Sequence, residues 1–173
     1  MKSLRLLDLI ITILFYSMLG IGIITFGVLI LFLFGIDLGI KTSTTFSDKS
    51  KVIMYLLLFS IFIFYASYVY SIYLFKQNIS SFIKFKLFTD QVIKNFKIMG
   101  IIYIASYIIS SLIVPLFKQD IKIEIGQDQD FFNFPLNGLI IGLFFLVLSK
   151  VFQIAKFQKE ENIELKQENK LTI

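Results

Sequence analysis

Four stretches without a single ionisable side chain constrain this chain more than anything else in it. Leu9–Ile36 runs for 28 residues, Val52–Phe75 for 24, Ile98–Phe117 for 20 and Phe131–Ser149 for 19. A helix rises about 1.5 Å per residue, so each run is long enough to cross about 30 Å of hydrocarbon. In lipid only a helix or a closed barrel satisfies every backbone polar group, and these unbroken runs lack the alternation of barrel strands. The expected fold is all-α: an integral membrane four-helix bundle, residues 1–173, with spans at 9–36, 52–75, 98–117 and 131–149 and a tail at 150–173. A hydrophobic share of 57% and a mean hydropathy of +0.81 agree with this, since globular chains average about 45–50% apolar.

Lys2 and Arg5 precede the first run, as basic residues precede a secretory signal. A signal's apolar region is about 7–15 residues long and ends in a small-residue cleavage site. The first run is longer and has no such site, so an uncleaved anchor is expected.

The Lys/Arg distribution orients the spans. The N-terminus, the middle loop (Lys76, Lys84, Lys86, Lys94, Lys97) and the tail (Lys150, Lys156, Lys159, Lys166, Lys170) together hold 12, against five in the first and third loops. Positive charge stays on the cytoplasmic side, so both termini and the middle loop are expected there. The same lysines suit anionic headgroups. They flank spans and carry no nucleic-acid-binding motif, so no direct nucleic-acid contact is expected.

Local patterns fill in the bundle. Gly20, Gly22 and Gly27 thin the first span, and Gly138 and Gly142 form a small-x-x-x-small pair in the fourth. Such residues let membrane helices approach closely, either inside one chain or between copies in a homo-oligomer. Asn137 is the most polar side chain set into a span and is expected to hydrogen-bond a neighbouring helix. Tyr65, Tyr68, Tyr70 and Tyr73 suit the headgroup layer as anchors. Tyr68, Ile72, Phe75, Ile79 and Phe82 keep helical spacing, Thr89 looks like an N-cap before Asp90, and Val92, Phe96, Met99 and Gly100 share the next face. These signs predict a basic cytoplasmic helical hairpin. In the two outer loops, Asp37–Lys51 and the alternating Ile121–Ile125 invite a short extracytoplasmic β pair.

The chemistry is sparse. With no Cys and no His, disulfides, thiolate catalysis and the usual zinc sites are excluded. No span carries an ionisable core residue, which argues against proton relays and ion coupling while leaving a passive pathway along Ser106, Ser110 and Asn137 open. No nucleotide-binding, metalloprotease or nucleophile-elbow motif occurs, and carboxylates at Asp128/Asp130 and Glu160/Glu161/Glu164 have no partner base in sequence. No catalytic residue, metal or cofactor is assigned, and an enzyme is not expected.

The tail carries the most distinctive sequence, Leu165-Lys166-Gln167-Glu168-Asn169-Lys170-Leu171-Thr172-Ile173. With Phe88-Thr89-Asp90 opening the third helix and Gly100 at its membrane entry, it resembles domain-of-unknown-function family 2975, small four-span bacterial membrane proteins. The chain departs from that group at Glu161-Asn162, where family tails often have glycine. The resemblance implies no established activity. It does imply a bacterial cytoplasmic (inner) membrane location and a possible small helix-turn-helix regulator as partner. The leading functional expectation is a non-enzymatic interaction or regulatory membrane protein. The alternatives are a small transporter or channel component, and a self-protection protein against membrane-active toxins. The tail residues Leu165, Glu168, Asn169, Leu171, Thr172 and Ile173 are the candidate docking segment, on the chain's own hairpin or on the regulator.

Overall fold

The computed structural model describes residues 2–33, 48–120 and 134–171, with side chains over 2–31, 59–112 and 138–169. The uncharged runs fall in four helices: α1 (Lys2–Leu33), α2 (Asp48–Ile83), α3 (Asp90–Asp120) and α4 (Phe134–Leu171). Each contains a segment long and apolar enough to cross a membrane, as a four-helix membrane bundle requires. No strand occurs among the described residues. The expected β pair falls mostly on residues 37–47 and 121–133, outside the described residues. Residues 48–51, read as loop from the charges they carry, are instead the first turn of α2.

All four helices overrun their uncharged runs at the same end. α1 starts at Lys2 ahead of the run from Leu9, α2 continues over 76–83, α3 starts at Asp90 ahead of the run from Ile98, and α4 continues over 150–171. The turn 84–89 that joins α2 to α3 is built from two matched caps. At the end of α2, the Lys86 N–H donates to the Ser81 carbonyl at 2.9 Å and the Phe85 N–H to the Phe82 carbonyl at 3.0 Å. Those two bonds make a Schellman motif, which needs a left-handed residue after the helix. That residue is Phe85, at φ 57°. At the start of α3, the Thr89 hydroxyl accepts from the Val92 N–H at 3.4 Å. Asp90 follows in the first turn, where a carboxylate complements the helix dipole.

Packing is uneven. α3 lies between α2 and α4, whereas α1 touches α2 and no other helix among the described residues. α1 and α2 run antiparallel: Phe26 meets Phe62, the Tyr65 hydroxyl donates to the Met18 carbonyl, and Phe15 meets Tyr73. Gly22 makes the second of these contacts possible, since a Cβ there would stand 2.7 Å from the Tyr65 ring.

The best-buried apolar cluster is not in the middle of the spans. Leu74, Val92, Phe96 and Met99 form it, with Phe75, Phe82, Phe145, Leu148 and Phe152 packed around. These residues straddle the points where charge reappears: Lys76 in α2, Lys97 in α3 and Lys150 in α4. In lipid, outward-facing Leu and Ile lose nothing, so tight apolar enclosure is worth most where the helices emerge into water.

Candidate functional site

The charged end of α2, α3 and α4 gathers the polar chemistry of the chain. Asn78 and Asn95 face each other from α2 and α3, both buried, and Asn95 Nδ2 donates to Asn78 Oδ1 at 2.8 Å. The same amide reaches Gln77 Oε1 at 3.2 Å, and Gln91 Nε2 reaches it at 3.4 Å. Asn78 Nδ2 is buried without a partner among the described residues. An amide pair in an apolar seam penalises any other register of the two helices, because slippage would strand both. A second polar tie links α3 to α4, where the buried Ser149 hydroxyl donates to the Ile93 carbonyl at 2.9 Å.

Further out, Lys156 of α4 bridges to the first residue of α3. Its Nζ lies 2.8 and 2.9 Å from the two Asp90 oxygens and 3.5 Å from Glu160. The pair is exposed at the Asp90 side, so it aligns α4 on α3 and adds little to stability, since water screens the attraction. Asp90 and Lys156 are 66 residues apart, too remote for any local sequence pattern to pair them. Asn78 and Asn95 are likewise not among the residues singled out from sequence. Their signal was present as two amides on the apolar stripes of Leu74 and Ile79 in one helix and Val92 and Met99 in the other.

Around this packed interior lies a surface of mixed character. Phe85 is 73% exposed at the tip of the turn, between the exposed Lys84 and Lys86. On α4, Val151, Ile154 and Phe157 are exposed beyond the end of the uncharged run at Ser149, Phe157 at 67%. Lys94, Lys97, Lys150 and Lys159 are exposed nearby in sequence. Such an end can bind. No group of His, Cys, Asp and Glu able to hold a metal occurs among the described residues.

The residues singled out from sequence are placed as follows. Gly142 abuts Gly100: a Cβ on Gly142 would stand 3.0 Å from the Gly100 carbonyl oxygen, and one on Gly100 2.8 Å from that of Gly142. Gly138 is buried, 3.8 Å by the same measure from the Tyr103 carbonyl. At Gly20 and Gly27 a Cβ would meet nothing within 4 Å among the described residues. Asn137 lies in the first turns of α4, its side chain outside the described residues. Tyr65 and Tyr68 both contact a neighbouring helix, Tyr65 through its hydroxyl to α1 and Tyr68 with its ring 5.2 Å from that of Tyr103. Ser106 is buried, and the Ser110 hydroxyl donates back to the Tyr107 carbonyl at 3.0 Å. In the tail, α4 stays helical to Leu171, with Leu165, Glu168 and Asn169 exposed; Thr172 and Ile173 fall outside the described residues.

Residues 38–173 match a family described as "Protein of unknown function (DUF2975)", and the chain belongs to that family. The matched region takes in α2, α3 and α4, the three helices that meet at the charged end, and excludes α1. No curated protein and no solved structure matches the chain.

Proposed function

We propose that this DUF2975 member is a non-enzymatic, multi-pass protein of the bacterial cytoplasmic membrane that docks a cytoplasmic protein on the charged end of α2, α3 and α4. Both termini and the turn 84–89 face the cytoplasm, in keeping with the 12-to-five division of Lys and Arg. The chain has no cysteine of its own, so single cysteines report this directly. In intact cells an impermeant thiol reagent labels Gln127→Cys and leaves Lys84→Cys untouched; labelling of the latter from outside reverses the orientation.

One observation carries the docking. Phe85 holds a left-handed backbone conformation, which costs a non-glycine residue roughly 1–2 kcal/mol, yet the residue is left 73% exposed among the described residues. The uninterrupted uncharged run of α2 ends at Phe75, so the tip stands about 15 Å further along the helix, out of reach of hydrocarbon. A large ring presented to water between two lysines is the anchor-and-rim chemistry of a protein contact. The partner we favour is a small helix-turn-helix regulator, which family resemblance implies, with the tail from Leu165 as a second contact.

Phe85→Gly separates binding from folding, because it removes the ring while relieving the backbone. Co-expressed with a small helix-turn-helix regulator of the same bacterium, the intact chain is expected to co-purify with it. Phe85→Gly is expected to lose it while melting no lower than the parent, and truncation after Lys166 to weaken it. Full capture by Phe85→Gly would sink the proposal.

A further inference from the structure

Between α1 and α2 lies an open groove of about 420 Å³, lined by Phe15, Leu19, Phe26, Phe62, Ala66 and Val69 among others. Its walls are almost wholly apolar, and all of them come from the two uncharged runs, which puts the groove at hydrocarbon depth. One end is closed by Phe26 stacked on Phe62, ring centroids 4.9 Å apart. The other end reaches Phe15 and Tyr73.

There the chemistry changes. Lys76 is the first charged residue after the run that ends at Phe75, so its backbone stands where hydrocarbon gives way to headgroups. A lysine at that depth ordinarily extends its ammonium away to water. Lys76 instead lies back over α1, its Nζ 5.7 Å from the Phe15 ring centroid and 5.1 Å from that of Tyr16. No carboxylate pairs with it among the described residues. Lys2 and Arg5 open α1 at this same end, because α1 and α2 are antiparallel. A cation at the mouth of an apolar groove, at the depth of the phosphates, complements one class of molecule that is always present there.

We propose that the groove between α1 and α2 holds an acyl chain of an anionic phospholipid whose phosphate sits on the Lys76 ammonium. Tyr73, half-exposed one turn before Lys76, flanks the headgroup. The reading does not depend on the docking proposed above, since it rests on α1 and on a different face of α2.

The test uses the full chain, stripped of lipid in detergent and titrated in native mass spectrometry with phosphatidylglycerol or with phosphatidylcholine of the same acyl chains. One lysine near a membrane surface gives a preference of about fivefold for the anionic lipid. Lys76→Gln is expected to reduce that preference by about the same factor and leave neutral-lipid binding unchanged. Ala66→Phe, which fills the groove, is expected to lower retention of both lipids while the protein keeps the size and helicity of the parent. Equal retention of the two lipids by the parent chain, an unchanged preference in Lys76→Gln, or unchanged retention in Ala66→Phe would each overturn the site. So would efficient Ala66→Cys cross-linking between two copies in lipid bilayers, which would put a second chain in the groove.

Discussion

Replacing Phe96 with alanine is expected to lower the stability of the folded chain by about 3–5 kcal/mol, the largest effect of any single truncation we foresee. The ring is 2% exposed and touches both neighbouring helices: its centroid lies 6.4 Å from Phe82 of α2 and 6.0 and 5.3 Å from Phe145 and Phe152 of α4. Phe96 precedes the uncharged run from Ile98, so the lost burial is counted against water. Leu112 offers the contrast. It is a large side chain on the same helix, 67% exposed on a lipid-facing surface, and its truncation to alanine is expected to cost less than about 1 kcal/mol. Denaturant unfolding of both variants in one detergent, followed by helical circular dichroism, measures the difference. Equal losses would mean that the core is not where the helices emerge.

Gly142→Ala gives the second large effect, and its sign is informative. In an isolated helix the change is favourable by about 1 kcal/mol. At this position the new Cβ would stand 2.7 Å from Ile104 Cγ1, 3.0 Å from the Gly100 carbonyl oxygen and 3.1 Å from the Ile104 nitrogen. Two of those atoms are backbone and cannot rotate aside, so α3 and α4 must part. A net loss of about 1–3 kcal/mol is expected, with a similar loss for Gly100→Ala. Gly27→Ala, with nothing within 4 Å, keeps the propensity gain. If Gly142→Ala is as stable as Gly27→Ala, the close crossing is absent.

The helices were legible because ionisable side chains and hydrocarbon exclude each other, so the charge-free runs mark the spans with little ambiguity. The turn was legible for a local reason: Thr89 and Asp90 make a helix start whatever surrounds them. The extent of α2 was not, since the charges at Asp48 and Lys49 look like loop although a helix end tolerates them. What lies between helices was harder still. Gly142 announced a close crossing by its spacing with Gly138, but its opposite number, Gly100, sits on another helix. Asn78 and Asn95 are 17 residues apart and meet through a hairpin whose register they help to fix. Asp90 and Lys156 are 66 apart, and no local rule pairs them. Phe85 could not be found at all by composition, because its interest lies in a backbone angle that glycine or asparagine would ordinarily supply.

The solitary neighbour of α1 makes the chain mechanically two-part. Among the described residues its contacts run to α2 through a phenol–carbonyl bond, two pairs of rings and Lys76 lying over Phe15 and Tyr16, and none of the described contacts among α2, α3 and α4 passes through it. Inside lipid such a seam has no water to expel and is held by packing and these few polar contacts. Tilting, sliding or lengthening α1 therefore strains one interface and leaves the aromatic core at 74–99 and 145–152 undisturbed. The first helix is the part of this protein that can adapt to a thicker or thinner bilayer without the rest having to refold.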